Sequence, residues 1–295
     1  MQNILLLFML LLLSCGRGNS QPVGTGHVAR FTHLVKVEMI GYDGDIMEPF
    51  LSRDGNILLF NNLNSAPENT NLHWATKIKD ATFQYRGEVS GVNTADLEGV
   101  PTMDNSGNLY FVSNRNYETT LSTLYQANFS NGTATNVQLI GGVSRLQPGW
   151  VNFDIETSAD GQTLYFVDAQ FGLTGNPKTA DIVIATKNGS GFQRSSNSSE
   201  IMQNVNTDAL EYAACISANQ LELYFTRVEV AFTAASFPGL FISTRPNIKE
   251  PFGVAYKIPT IKGFVEAMTI APDQKTFYFH KKESNRFVLY MVRRK

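Results

Sequence analysis

Acidic side chains recur along this chain, each just upstream of an aromatic run: Glu48, Glu98, Asp154 with Glu156, Glu211 and Glu266. Two carboxylates facing each other across a cleft can act on a glycosidic bond, one as general acid and the other as base or nucleophile. They can also bind a cation, or merely cap the strand that carries them. Possible partners recur downstream at Arg115, Arg227 and Lys281, with Asp168 and His280 at the same strand ends. Because the acids repeat, capping or pairing with Arg115, Arg227 and Lys281 is the favoured reading over a functional cluster. Among the aromatics, Trp150 in QPGW is best placed to stack on a sugar or a peptide, ahead of Phe171, Phe232 and Phe237. Loop packing is the competing role for each. His27, His33, His73 and His280 show neither HxH nor HExxH spacing, so no metal centre is expected. No Gly-rich phosphate loop, Gly-x-Ser-x-Gly elbow or Cys-x-x-Cys occurs, so no catalytic set and no cofactor are assigned.

The elements that must position these residues repeat five times. EPFLSRDGNILLF (48–60), EGVPTMDNSGNLYF (98–111), DIETSADGQTLYF (154–166), EYAACISANQLELYF (211–225) and EAMTIAPDQKTFYF (266–279) share one grammar. An acid is followed by a short apolar stretch, a turn rich in Asp, Asn and Gly, and an aromatic strand. Turn residues that tolerate positive φ between such flanks predict a β-hairpin. The closing phenylalanines lie 51, 55, 59 and 54 residues apart. Two further strand-like runs follow in most periods: 72–78 and 82–89, 122–129 and 135–143, 181–187 with a weaker one in 191–205, and 239–245 with 252–261. Four strands per period predict propeller blades. The fifth period has only FVLYMVRRK left, one strand short, whereas His33–Gly41 stands unpaired ahead of the first hairpin. The expected fold is therefore all-β, a five-bladed β-propeller of four-stranded blades, with that N-terminal strand completing the last blade. Helix is expected to contribute almost nothing.

The phrases SRDGNILLF, SADGQTLYF and IAPDQKTFYF resemble the WD40-like repeat called PD40, found in TolB-type propellers. The second and fourth copies lack its Asp-Gly pair. The resemblance implies a propeller and a role in binding, and supplies no catalytic residues. In such a disc the Asp-Gly turns lie on one face. The other would gather Glu48, Glu98, Asp154, Glu156, Glu211 and Glu266 at the channel mouth, with Asn62, Arg115, Asp168, Arg227, His280, Lys281 and Trp150. Long loops over 61–71, 168–180 and 227–238 flank it, making this face the expected ligand site.

The bulk numbers narrow the partners. With 24 Lys+Arg against 26 Asp+Glu, no excess of positive charge suits a nucleic-acid backbone. Ile4 to Leu13 is an apolar run of signal-peptide length, ending in Leu12-Leu13-Ser14-Cys15, which resembles the bacterial lipobox. The Lys or Arg usual ahead of such a run is missing. That resemblance implies loss of residues 1–14, a lipid on Cys15, a tether over 15–27 and one propeller domain over 28–295, anchored in the cell envelope. The outer membrane is the expected site, with the domain facing the periplasm or the surface. Cys215 then has no partner and reads as a buried apolar group. The leading expectation is a monomeric, non-catalytic module binding a protein, peptide or glycan. The alternative is a glycoside hydrolase-like enzyme using carboxylates at the mouth: a carboxyl pair about 5 to 9.5 Å apart in an open pocket would favour it, and carboxylates all engaged by Arg or Lys would end it.

Overall fold

The computed structural model describes residues 31–63, 69–172, 177–228 and 237–295. Cys15, the tether and Phe232 lie outside the described residues. The chain folds into five antiparallel meanders. The first comprises Met47–Leu51, Ile57–Asn61, Leu72–Lys79 and Thr82–Glu88; the second Glu98–Met103, Asn108–Ser113, Leu124–Ser130 and Thr133–Leu139. The third runs through Trp150–Thr157, Thr163–Phe171, Pro177–Asn188 and Gly191–Arg194, and the fourth through Leu210–Ile216, Glu222–Val228, Gly239–Thr244 and Tyr256–Lys257. The fifth has Val265–Ile270, Thr276–Glu283 and Arg286–Arg293. One parallel pairing, Ala180 with Leu210, joins the third and fourth into a single sheet. The first strand of each meander packs on that of the next, and Val265–Ile270 packs on Met47–Leu51.

Each hairpin turn is built by its own side chains. Ser52 Oγ accepts the N–H of Ile57 at 2.9 Å and donates to Asp54, whose carboxylate accepts the N–H of Asn56 at 3.1 Å. Ser158 with Asp160, and Ser217 with Asn219, repeat the arrangement. Polar side chains thus satisfy backbone donors that the turn leaves without partners. In the second copy Asp104 does the work alone, taking the N–H groups of Ser106 and Asn108. This is why that copy dispenses with the Asp-Gly pair.

The Tyr-Phe pair after each of the last four turns holds neighbouring meanders together. Successive strand residues point to opposite faces. Tyr110 accordingly packs between the second and third meanders and Phe111 between the first and second. Tyr165 and Phe166, Tyr224 and Phe225, and Tyr278 and Phe279 do the same. All eight rings are almost wholly buried, each Phe contributing roughly 1.5–3 kcal/mol by leaving water.

The N-terminal strand departs from expectation. His33–Gly41 does not lie as one strand on the last meander. Val35–Lys36 pairs antiparallel with Met291 and Tyr290, but Glu38–Ile40 pairs in parallel with Thr82, Phe83 and Gln84 of the first. Between them Val37 is buried and donates to Leu289 O at 2.9 Å. The segment covers an edge of each meander, and an edge left bare is costly; residue alternation alone could not reveal the switch. Among the described residues helix is confined to two single turns, Tyr117–Thr120 and Ser198–Ile201.

Candidate functional site

Every innermost strand breaks register at the same height, between Met47 and Phe50, Gly99 and Thr102, Phe153 and Ile155, Tyr212 and Cys215, and Glu266 and Thr269. The residue inside each bulge, Glu48, Val100, Asp154, Ala213 or Ala267, has a left-handed φ of 45 to 53°. That conformation costs roughly 1–2 kcal/mol per non-glycine residue. Four of these residues donate their N–H to a side chain of the preceding meander. Val100 reaches Asn61 Oδ1 at 3.0 Å, Ala267 reaches Thr226 Oγ1 at 3.2 Å and Glu48 reaches His280 Nδ1 at 3.1 Å. These three acceptors occupy one slot on the second strands. In the third meander that slot is the apolar Val167, and Asp154 itself accepts the N–H of Ala213 at 2.8 Å.

Bulge geometry sorts the sequence-predicted acids. Glu98 and Glu211 stand two residues ahead of the bulge, fully buried. Glu98 meets Arg115 at 3.0 Å, Ser113 at 2.7 Å and the hydroxyl of Thr94 at 2.9 Å. Glu211 meets Arg227 at 2.6 Å and the hydroxyl of Thr207 at 2.6 Å. Both pairs serve the repeat, as expected. Asp168 is saturated by Arg194 through two bonds of 2.5 and 2.8 Å, Arg145 at 2.8 Å and Asn152 at 2.7 Å. Glu156 is corrected: it belongs to the turn side of the bulge, not the mouth. There it binds Arg53 at 2.9 Å and Thr102 Oγ1 at 2.6 Å and accepts the N–H of Ile216 at 3.4 Å. Lys281 is corrected too: its ammonium stacks over Tyr290, and the partner of Glu266 is His280.

Three acids remain at bulge height: Glu48, Asp154 and Glu266, each about nine-tenths buried or more. Glu266 accepts the hydroxyl of Tyr212 on Oε1 and faces His280 Nε2 at 3.1 Å on Oε2. Because His280 Nδ1 takes the N–H of Glu48, the ring's proton sits on Nε2 and is donated to Glu266. Burial, and then the negative charge on Glu266, push Asp154 up to about 7, against the single favourable N–H of Ala213. Burial and the same three carboxylates hold Tyr212 well above the usual tyrosine range, so it stays a donor. Neither Asp154 nor Glu266 pairs with Lys or Arg among the described residues. Glu48, Glu156, Ala213 and Ala267 line an axial cavity of about 30 Å³ just below. This space admits water and not a sugar ring. Among the described residues no group of three or more His, Cys, Asp or Glu is placed to hold a metal ion. Tyr212 escaped the sequence reading; its one signal was adjacency to an acid in EYAAC.

No family model matches the sequence, and no curated protein matches it either. Solved structures do match in shape. One described as a glycoside hydrolase is 10% identical, with a TM-score of 0.59, covering 90% of this chain and 91% of its own. The catalytic domain of a GH62 α-L-arabinofuranosidase from Coprinopsis cinerea is 11% identical at a TM-score of 0.54, covering 91% and 98%. An exo-β-1,3-galactanase from Phanerochaete chrysosporium, determined with galactose, is 10% identical at 0.53, covering 90% and 63%. This chain has a β-propeller fold. The PD40 resemblance therefore holds for the propeller and extends to no sequence family. The expectation of a non-catalytic binding module is overturned, since the propellers similar to this one include sugar-cleaving enzymes. Among the described residues Asp154 and Glu266 meet no Lys or Arg: Asp154 accepts the bulge N–H of Ala213, and Glu266 accepts the hydroxyl of Tyr212.

Proposed function

We propose that this propeller is a sugar-active enzyme of the glycoside-hydrolase type, with Asp154 as proton donor and Glu266 as its ionised partner. The observation that carries the reading is the asymmetry between the two. Asp154 has one backbone donor and is pushed up to about 7, so it carries a proton near neutrality. Glu266 is held by two donors, Tyr212 and His280, that favour the carboxylate. Carboxyl groups in such unlike surroundings can divide the work of acid and base. Asp154 gives its proton to the departing glycosidic oxygen while Glu266 stays charged, stabilising the positive character of the sugar or activating water. The similar propellers described as an arabinofuranosidase and a galactanase support a glycan as substrate.

The reading extends to the ring itself. We propose five blades, the last closed on the first, because Glu48 and His280 repeat across that junction the bulge contact made at three of the other four. We also propose that lipid on Cys15 holds the domain in the cell envelope.

The test is hydrolysis of a panel of galacto-, arabino- and uronate-containing oligosaccharides, read by released reducing ends. Asp154→Asn and Glu266→Gln should each lower kcat about 10²–10⁴-fold without lowering the melting temperature. Turnover that survives in both variants would remove these two residues from the mechanism.

A further inference from the structure

At the mouth end of the strand that bears Asp154 lies a group the reaction above does not use. Asp168 is shared by two arginines. Arg194 is spent on it, with Nε at 2.5 Å from Val143 O and both terminal nitrogens on the carboxylate. Arg145 gives Asp168 only its Nε, at 2.8 Å. Its terminal nitrogens make no hydrogen bond among the described residues, and its side chain is 44% exposed. Two guanidiniums against one carboxylate leave a positive charge in excess. Asp181 lies in the same field: burial and the charge of Asp168 raise its pKa, and Arg145 lowers it.

That charge is held rigidly. The Arg145 guanidinium lies 4.1 Å over the ring of Trp150, whose carbonyl is fixed by Tyr117 Oη at 2.7 Å. A guanidinium anchored through Nε and backed by an indole presents a fixed two-pronged edge, the partner of a planar carboxylate. Trp150 precedes Asp154 by four strand residues, roughly 13 Å at about 3.3 Å each, the span of a short oligosaccharide.

We propose that Arg145 and Trp150 form a subsite for the carboxylate of an acidic sugar, so that the glycan taken by this mouth contains uronic acid. The substrate class rests on the proposed hydrolase reading, but binding at this subsite can be measured without turnover. Trp74 and Trp150 are the only tryptophans, so Trp74→Phe leaves Trp150 as the sole fluorescent reporter. In that background an oligogalacturonide should quench the emission saturably, whereas a neutral galacto-oligosaccharide and sodium acetate at equal concentration should not. Arg145→Gln should weaken the oligogalacturonide about 10-fold or more, and added salt should weaken it further. Calorimetry on the otherwise unaltered chain provides the same comparison should Trp74→Phe fail to fold. Equal binding of the neutral sugar, an unchanged affinity in Arg145→Gln, or no response to the oligogalacturonide overturns the proposal. A response to acetate as strong as to the oligomer reduces it to a bare anion site and overturns it as well. Binding of the oligogalacturonide retained in Asp154→Asn, with no glycan cleaved by the unaltered chain, would sustain the subsite and sink the hydrolase. Cleavage of neutral glycans without uronate binding would do the reverse.

Discussion

Asp154 and Glu266 are buried to a similar degree, yet they differ in what surrounds the charge. Glu266 accepts Tyr212 and His280, while Asp154 has one N–H and a carboxylate nearby. The consequence can be measured without any substrate. Unfolded, Asp154 loses its proton near the ordinary carboxylate value; folded, it keeps it up to about 7. Between about pH 4 and 7 the native state therefore binds more protons than the unfolded one, and stability falls as pH rises, by at most roughly 1.4 kcal/mol per unit from this group. Asp154→Asn should flatten that slope, so the variant gains on the parent between pH 4 and pH 7; urea unfolding across the interval checks it. Parallel curves would mean that Asp154 is already ionised when folded. His73 works in the opposite direction. Burial lowers its pKa, so stability should fall as pH drops below about 6.5 and the unfolded chain takes up a proton that the folded ring resists. His73→Phe should shallow this acid limb in the same urea series, and an unchanged limb would show that the ring accepts its proton in place.

The bulge decides which of these residues matter, and it was the part of the strands least visible in the sequence. Turn chemistry was legible, because Ser52, Asp54 and their counterparts act on donors a few residues away. The aromatic pairs were legible because each strand is buried on both faces. A bulge, by contrast, is one extra residue, and its occupants share no type: Glu48, Val100, Asp154, Ala213 and Ala267. Six acids that look alike in the repeat therefore fall at three heights, and only the register assigns Glu98 to Arg115 and Glu266 to Tyr212. The outer strands were blurred for another reason. Tyr256–Lys257 is held by two pairings, and the Val35–Ile40 segment divides between two edges, so neither imprints a long alternation. The left-handed backbone gives an element-scale prediction. In an ordinary strand Ala→Gly costs roughly 0.5–1 kcal/mol. At Ala213 relief of the left-handed conformation should cancel that loss, leaving Ala213→Gly within about 0.5 kcal/mol of the parent, while Ala213→Val should cost more than about 1 kcal/mol. Denaturant midpoints decide between this and an ordinary strand, where the order would reverse.

Across the whole molecule the apolar contacts lie between meanders. Each of the five principal clusters is shared by two neighbours, and one of them joins the last to the first through Val37, Ile46, Leu58, Tyr278, Leu289 and Met291. An open array of such units would be weakest at its ends and would unzip from them. A ring has no ends, so loosening any junction lowers the stability of every blade together. The two tryptophans report on this, Trp74 from the first meander and Trp150 from the third. Val37→Ala removes two buried methyls at the proposed seam and should cost roughly 1–3 kcal/mol. If the seam closes a ring, Trp74 and Trp150, each followed with the other replaced by Phe, should still lose their native signals at the same urea concentration, lower than in the parent. A Trp74 transition that moves ahead of Trp150 in the Val37→Ala variant would show the first meander peeling away alone, and the ring would have to be given up.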